Sequence, residues 1–189
     1  MELLRAIRIA VAALGFAALA LPLPGEPPPP GEPPGDAQRE YAVKSVFLYN
    51  FCRFIEWPRD AFAGPNEPIV IGIIGEDPFG RLLEETVQGE TMRGRLIRIE
   101  RYRKLAEIRG CHLLFISRSE TARITEILAA VAGRSVVTVG ETDLFLDRGG
   151  MIALTTDQNR VRLRINPTPL RAASLNVSSK LLRVADIKS

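Results

Sequence analysis

The sequence is poor in the side chains on which most enzymes and metal sites depend. Its 189 residues include one histidine, two cysteines and one tryptophan. A Ser-His-Asp triad would have to use His112, and no G-x-S-x-G motif lies near the end of a predicted strand. Cys111 and His112 are neighbours on a predicted strand, where successive side chains point to opposite faces, so they are badly placed to share a metal ion. We therefore expect no catalytic centre, no metal site and no cofactor.

Nucleotide-binding motifs and long runs of one charge are also missing. The chain has no P-loop pattern, G-x-x-x-x-G-K-[ST], and its glycines at positions 72, 75 and 80 do not form G-x-G-x-x-G. The net charge is only +3, and the basic residues are scattered rather than collected in a run of five or six. We expect no nucleic-acid partner.

The start of the chain is predicted to lie outside the folded domain. Two arginines precede the apolar run Ile9–Leu21, and Ala18–Ala20 is a candidate cleavage site, so residues 1–20 are interpreted as a secretory signal peptide. Eight of the fourteen prolines fall between positions 22 and 34, which predicts an extended, Pro-rich linker over residues 21–35. These features predict export from the cytoplasm. The alternative is anchoring by an uncleaved N-terminal segment.

The remaining residues, 36–189, have the pattern of one α/β domain. Ile69–Ile74 is a continuous apolar run, typical of a strand buried on both faces. Strands alternating with helices favour a mainly parallel central sheet of about six strands with helices on both faces, ending in a C-terminal antiparallel hairpin. Further strands are predicted at 92–100, 112–116, 135–139, 151–155 and 161–165, and helices up to residue 87 and at 103–108, 120–132 and 167–185.

Half of the chain's twelve aromatic residues lie in one stretch, Tyr41–Pro58. Drawn as a helix at about 100° per residue, it places five large apolar side chains in a single core-facing arc. Pro58 is expected to end this helix. Val46 and Tyr49 lie on the opposite arc, and we interpret them as a candidate partner-binding face. The core arc consists of Phe47, Leu48, Phe51, Phe54 and Ile55.

A row of arginines is the second candidate partner-binding surface. Arg160, Arg162 and Arg164 alternate with aliphatic residues, so their guanidinium groups share one face of the last predicted strand. The row either protects a sheet edge or forms an electrostatic patch for a partner. Leu170, which follows two prolines, is the candidate apolar anchor beside the row.

The predicted carboxyl ends of the strands are acidic, and the cysteines leave several alternatives open. Glu76, Glu141 and Asp143 are either helix caps or the lining of a crevice that binds an amine or another cation. An oxidising compartment permits a disulfide between Cys52 and Cys111. Two buried free thiols and a redox pair are the other interpretations of these cysteines.

Six short motifs occur in order along the chain, and as a set they are fairly specific. They are FLYNFCRFIEWP, GIIGEDPFG, CHLLFIS, VTVGE, GGMI and NVSSKLL. This series resembles the YfiR-type family of exported proteins over about Tyr41–Ile187, nearly the whole predicted domain. The resemblance implies a single α/β domain with a mixed sheet that regulates rather than catalyses.

The resemblance also implies partners. Family members look like periplasmic repressors that bind the periplasmic sensor region of an inner-membrane diguanylate cyclase and hold down cyclic-di-GMP synthesis. Related domains occur fused to sensor kinases, and an outer-membrane lipoprotein can sequester such a repressor. We expect a periplasmic regulator of this kind, acting as a homodimer on an inner-membrane diguanylate cyclase or sensor kinase. The alternative is a periplasmic small-molecule-binding protein. The better-known members depend on more cysteines than the two here, so their disulfides are not transferred to this chain.

Overall fold

The apolar strand Ile69–Ile74 lies inside a mixed eight-stranded sheet. The structure, a computed structural model, describes residues 35–188. The predicted signal peptide and all of the predicted linker except Gly35 lie outside the described residues. Within the described part the strands are β1 (Ile55–Glu56), β2 (Ile69–Ile74), β3 (Thr91–Met92), β4 (Arg95–Tyr102), β5 (Leu113–Ile116), β6 (Val137–Gly140), β7 (Ile152–Asp157), β8 (Arg160–Ile165), β9 (Asn176–Val177) and β10 (Asp186–Ile187).

The strand order of the large sheet is β10-β8-β7-β6-β5-β2-β4-β3. Strands β7, β6, β5, β2 and β4 are parallel, β7 and β8 form an antiparallel hairpin, and β10 runs parallel to β8. The small strands β1 and β9 pair separately with each other. The sequence-based fold class, a mainly parallel sheet with a C-terminal antiparallel hairpin, is confirmed. The sheet has eight strands rather than about six because two-residue strands were not recognisable in the sequence.

Helices cover both faces of the sheet and divide the core in two. The helices are α1 (Asp36–Phe54), α2 (Leu82–Val87), α3 (Ile124–Val131), α4 (Asp143–Asp147), α5 (Pro167–Ala172) and α6 (Ser179–Leu182). Residues of α1, α2, α5 and α6 pack in one cluster with Ile71, Ile73 and other side chains of one sheet face. Residues of α3 and α4 pack in a second cluster with Ile74 and other side chains of the opposite face.

Helix α1 ends earlier than predicted. It begins at Asp36 and stops at Phe54, because Ile55 and Glu56 adopt extended geometry and pair with β9. The prediction that Pro58 ends this helix is therefore wrong, because the helix has already ended before the chain reaches the proline. The most buried side chains of α1 also differ from the predicted arc, since they include Lys44, Ser45 and Cys52 beside Leu48 and Phe51.

The predicted closing helix over residues 167–185 is wrong. Asn166 caps its start, because the side chain accepts a hydrogen bond from the Thr168 N–H. The helix then ends at Ala172, and Ser174 takes a left-handed conformation with φ of 56°. Strand β9 follows and pairs with β1, a partner more than a hundred residues away in sequence. Helical periodicity around residue 176 could not reveal that distant pairing.

The region after β2 shows smaller differences from the prediction. The predicted strand at 92–100 is a hairpin of β3 and β4, turning at Arg93 and Gly94, which both have positive φ. This turn sets the register so that Ile97 and Ile99 pack on the core, whereas Leu96 is 62% exposed. The helix predicted at 120–132 is preceded by a 3₁₀ segment, Arg118–Arg123, which Ser117 caps, and it becomes α-helical only at Ile124.

Candidate functional site

A buried ion pair joins α1 to the carboxyl end of β6. Lys44 is fully buried, and its Nζ lies 2.6 Å from Oε1 of Glu141, the residue that follows β6. The other carboxylate oxygen of Glu141 accepts a hydrogen bond from the Arg118 N–H after β5. The pair therefore fixes the helix against two adjacent strand ends.

The same cluster includes two more titratable groups of α1. Lys44 Nζ lies 2.5 Å from Oε1 of Glu40 and 4.8 Å from the centre of the Tyr41 ring. Burial alone would raise the pKa of Glu40, but hydrogen bonds from Lys44 and Thr156 lower it overall. Burial, and then the charge of Glu141, raise the pKa of Tyr41 to about 12. Glu40 is therefore held ionised and Tyr41 neutral at physiological pH.

Sequence reasoning missed this cluster, although the sequence contains a signal for it. Lys44 precedes Leu48 by four residues and Phe51 by seven, so it continues the core stripe of α1 toward the N-terminus. A lysine on a core stripe needs a buried counter-charge. The identity of that counter-charge, 97 residues away, depends on how α1 lies across the sheet.

The arginine row is largely paired within the protein. Arg164 forms an ion pair with Asp143 at the start of α4, and Arg162 lies 4.0 Å from Asp157. Arg160 lines a cavity of about 540 Å³ between the N-terminal half of α1 and the β7–β8 hairpin. Leu170 is only 1% exposed and belongs to the core, so its prediction as an exposed apolar anchor is wrong. The two prolines before it form the first turn of α5 and direct the leucine inward.

Helix α1 presents an apolar strip to solvent on its outer side. Val46 is 49% exposed, and Val43, one turn before it, is exposed to a similar degree. Tyr49 continues the strip and donates a hydrogen bond from its hydroxyl to Glu90, over 2.8 Å. Positions 43, 46 and 49 are spaced by three, so they follow one another along the helix surface. We call these three residues the α1 strip.

The acidic strand ends do not form a shared crevice. Glu141 is buried against Lys44, and Asp143 is paired with Arg164. The Glu76 N–H donates to the Ser119 hydroxyl, which lies where a side chain on Gly75 would have to be. None of the three predicted carboxylates lines the cavities described here. The structure therefore does not bring these three residues together into an amine site.

The two cysteines are free and buried on opposite sides of the sheet. Cys52 packs in the cluster with α1, whereas Cys111 packs in the cluster with α3. Burial raises the pKa of each thiol to about 12. Of the alternatives that the sequence left open, the structure has two buried free thiols, and neither thiol has the depressed pKa that redox chemistry requires.

A second cavity lies at the amino end of β2, and three arginines are among its lining residues. It has a volume of about 390 Å³ and is lined by α1, the loop before β2 and the β3–β4 hairpin. Its lining residues are Cys52, Trp57, Arg59, Phe62, Gly64, Pro65, Ile69, Met92, Arg93 and Arg95. Sequence reasoning missed it because its walls come from three separate segments.

His112 supports the aromatic wall of this cavity. The Val70 N–H donates to Nδ1 of His112, which leaves Nε2 to carry the proton and donate to the Ala61 carbonyl. The Phe62 ring stacks on the imidazole at 4.4 Å, and the Trp57 indole N–H donates to the His112 carbonyl. The only histidine of the chain is therefore a structural residue that holds the loop before β2.

We expect stability to fall as the pH is lowered from about 7 to about 5.5, through His112. Burial, the largest cause, lowers the pKa of His112 below its usual 6.5, although the Ala61 carbonyl and Glu67 oppose the shift. The unfolded chain therefore takes up a proton first, so the stability from neutral His112 is lost as pH falls below about 6.5. Urea unfolding of wild type and His112→Gln at several pH values measures this. An equal pH dependence in the variant would assign the effect to other groups.

Two features are absent from the part of the chain that the structure describes. No helix between residues 35 and 188 is long and apolar enough to cross a membrane. The same residues contain no group of three or more histidine, cysteine or carboxylate side chains arranged to hold a metal ion.

Comparisons with known proteins connect this chain to one family. No curated protein matches it. Among solved structures, a conserved domain protein from Vibrio cholerae O1 biovar eltor str. N16961 is 13% identical, with a TM-score of 0.48, over 63% of this chain and 54% of the other. The ABC domain in complex with L-Trp from Streptococcus pneumonia is 9% identical, with a TM-score of 0.48, over 64% and 55%.

The chain spans about half the length of these solved structures, and the scores are too low to support any inference from them. The family match covers far more of the chain. Residues 41–186 match the family described as YfiR/HmsC-like, DUF4154, a range that includes every strand and helix except the first turns of α1 and the last residue of β10. This protein therefore belongs to the YfiR/HmsC-like family.

Proposed function

We propose that this protein represses a membrane-bound diguanylate cyclase by binding the periplasmic sensor region of that enzyme. The observation that carries the proposal is the family match over residues 41–186. Membership of this family fits a periplasmic regulator of cyclic-di-GMP signalling in general, and the family is regulatory rather than catalytic. A repressor of this kind works by binding the inactive state of its partner more tightly than the active state.

The α1 strip is the surface that we assign to the cyclase. Val43 and Val46 are both about half exposed on a nineteen-residue helix, so the backbone under them is rigid. An amphipathic partner segment can bury such a strip at little entropic cost, because the helix is already formed. The arginine row is the less favoured surface, since Arg162 and Arg164 already have acidic partners.

We expect Val46→Asp to weaken binding to the cyclase strongly. A buried, unpaired carboxylate at an interface should weaken the complex by about tenfold or more, and cyclic-di-GMP in the host should rise as repression is lost. The measurement is co-purification of the tagged protein with solubilised inner membranes of its host, with the captured cyclase identified by mass spectrometry, together with the cellular cyclic-di-GMP level.

Leu144→Asp is the matched control, because Leu144 is 53% exposed but lies on α4, at the opposite face of the sheet. This variant should still capture the cyclase. Capture by Val46→Asp at the wild-type level would reject the α1 strip, and Arg162→Glu then tests the arginine row. Capture of no cyclase by the wild-type protein would contradict the proposal itself.

The proposal includes two further assemblies. We take the repressor to be a homodimer, which sedimentation equilibrium of the purified protein would measure. We also take an outer-membrane lipoprotein to be the partner that sequesters the repressor and releases the cyclase. Co-expression of such a lipoprotein should reduce the amount of cyclase captured, and an unchanged amount would remove the lipoprotein from the proposal.

A further inference from the structure

The cavity at the amino end of β2 has the size of a small-molecule site. Its volume of about 390 Å³ falls within the roughly 300–1,000 Å³ typical of ligand pockets. Three segments close around it: the end of α1 at Cys52, the loop from Trp57 to Pro65, and the hairpin from Met92 to Arg95. A ligand there would contact all three segments at once.

The charges around the cavity are unbalanced, and one of them is free. Three arginines line it, and none of the lining residues is acidic. Arg95 donates to the carbonyls of Gly64 and Glu67, and Arg93 is paired with Glu56 at 2.9 Å. Arg59 makes no ion pair and no side-chain hydrogen bond with any residue in the described range 35–188. Its guanidinium group is thus the one available to a ligand, and guanidinium groups bind carboxylates through two parallel hydrogen bonds.

The rest of the wall is apolar and already rigid. The Phe62 ring lies between the His112 imidazole at 4.4 Å and the Arg95 guanidinium at 3.9 Å, so both of its faces are covered. Phe62 can therefore offer only its edge, and the edge of one aromatic ring packs well on the face of another. Trp57 is held in turn by its hydrogen bond to the His112 carbonyl. Met92 and Ile69 complete the apolar wall.

We propose that this cavity binds a small aryl carboxylate, with the carboxylate on Arg59 and the ring between Trp57 and Phe62. The chemistry of the site excludes amines, since every charge in its lining is positive. Because the inference rests on the cavity alone, it does not depend on the proposed cyclase partner. It differs from the acidic crevice predicted from the sequence in place, in charge and in ligand class.

Trp57 makes the test direct, because it is the only tryptophan of the sequence and it lines the cavity. Phenylacetate titrated into the purified protein should change the tryptophan fluorescence in a saturable way, with a Kd of about 0.1–1 mM for so small a ligand. Arg59→Gln should raise that Kd about tenfold or more, since it removes a charge-assisted hydrogen bond. Arg59 is exposed, so this variant should fold normally.

Control variants and control ligands measure the contributions of the carboxylate and of the ring to binding separately. Arg81→Gln removes a side chain that is 92% exposed and outside the cavity, and it should bind phenylacetate like the wild type. Acetate and 2-phenylethanol each lack one half of the ligand, and each should bind at least about tenfold more weakly than phenylacetate. No saturable fluorescence change with phenylacetate, or an unchanged Kd in Arg59→Gln, would overturn the proposal.

Discussion

Lys44→Met should lower the free energy of unfolding by about 3–5 kcal/mol, because it leaves Glu141 buried without its counter-charge. The side chains of Lys44 and Glu141 are 0% and 1% exposed, so water cannot replace the lost ammonium group. For a domain of this size, such a loss corresponds to a fall in melting temperature of about 10 °C. Urea unfolding followed by circular dichroism at pH 7 measures the difference.

The double variant Lys44→Met/Glu141→Leu distinguishes the loss of the attraction between the two charges from the cost of leaving one charge buried alone. Removing both charges together removes the desolvation cost as well as the attraction, so we expect the double variant to regain much of the lost stability. Arg93→Met is the matched control, since the Arg93–Glu56 pair has similar geometry but both side chains are about half exposed. Arg93→Met should lower the free energy of unfolding by no more than about 1 kcal/mol. Equal losses in Lys44→Met and Arg93→Met would show that burial of the Lys44–Glu141 pair has no special energetic role.

Phe145→Ala should also lower the free energy of unfolding by about 3–5 kcal/mol, because the Phe145 ring fills the space left by two glycines. Phe145 on α4 is 1% exposed. A Cβ atom on Gly140 would lie 2.4 Å from Cγ of the ring, and one on Gly150 would lie 2.2 Å from Cε1. The ring therefore rests on bare backbone at the end of β6 and just before β7. Thermal and urea unfolding of the variant measure the loss.

A second substitution tests the contact between the Phe145 ring and Gly140 without creating a cavity. Gly140→Ala should destabilise the wild-type protein by about 1–3 kcal/mol through overpacking, yet cost far less in the Phe145→Ala background, where its methyl group has room. Gly64→Ala is the control, since a Cβ there meets nothing within 4 Å, and it should change stability by no more than about 0.5 kcal/mol. Additive effects of Gly140→Ala and Phe145→Ala would contradict the proposed contact.

The long periodic segments were predictable because their own residues determine them. Ile69–Ile74 has the continuous apolar pattern of a buried strand, and α3 lies within the helix predicted at 120–132. The hairpin of β7 and β8 was likewise visible from its alternation, with Gln158 and Asn159 in the left-handed conformations of a tight turn. In these elements local preference and tertiary packing agree.

Errors in the candidate sites came from side chains whose surroundings are supplied by distant residues. Leu170 looked exposed after two prolines, but the first turn of α5 directs it into the core. Glu141 looked like part of an open acidic edge, but Lys44 from α1 covers it. The cavity at the amino end of β2 had no sequence signature, because none of its three segments carries a recognisable motif by itself.

The sequence by itself determined the class of the fold, the alternation of strands and helices, and the motif series that indicated the family. These follow from periodicity and local conformational preference, which act over a few residues. The tertiary structure alone decided that β1 pairs with β9, that Lys44 meets Glu141, and that Trp57 and Arg59 line one cavity with the β3–β4 hairpin. Such contacts depend on the packing of segments tens to more than a hundred residues apart, and no local pattern encodes the partner across that distance.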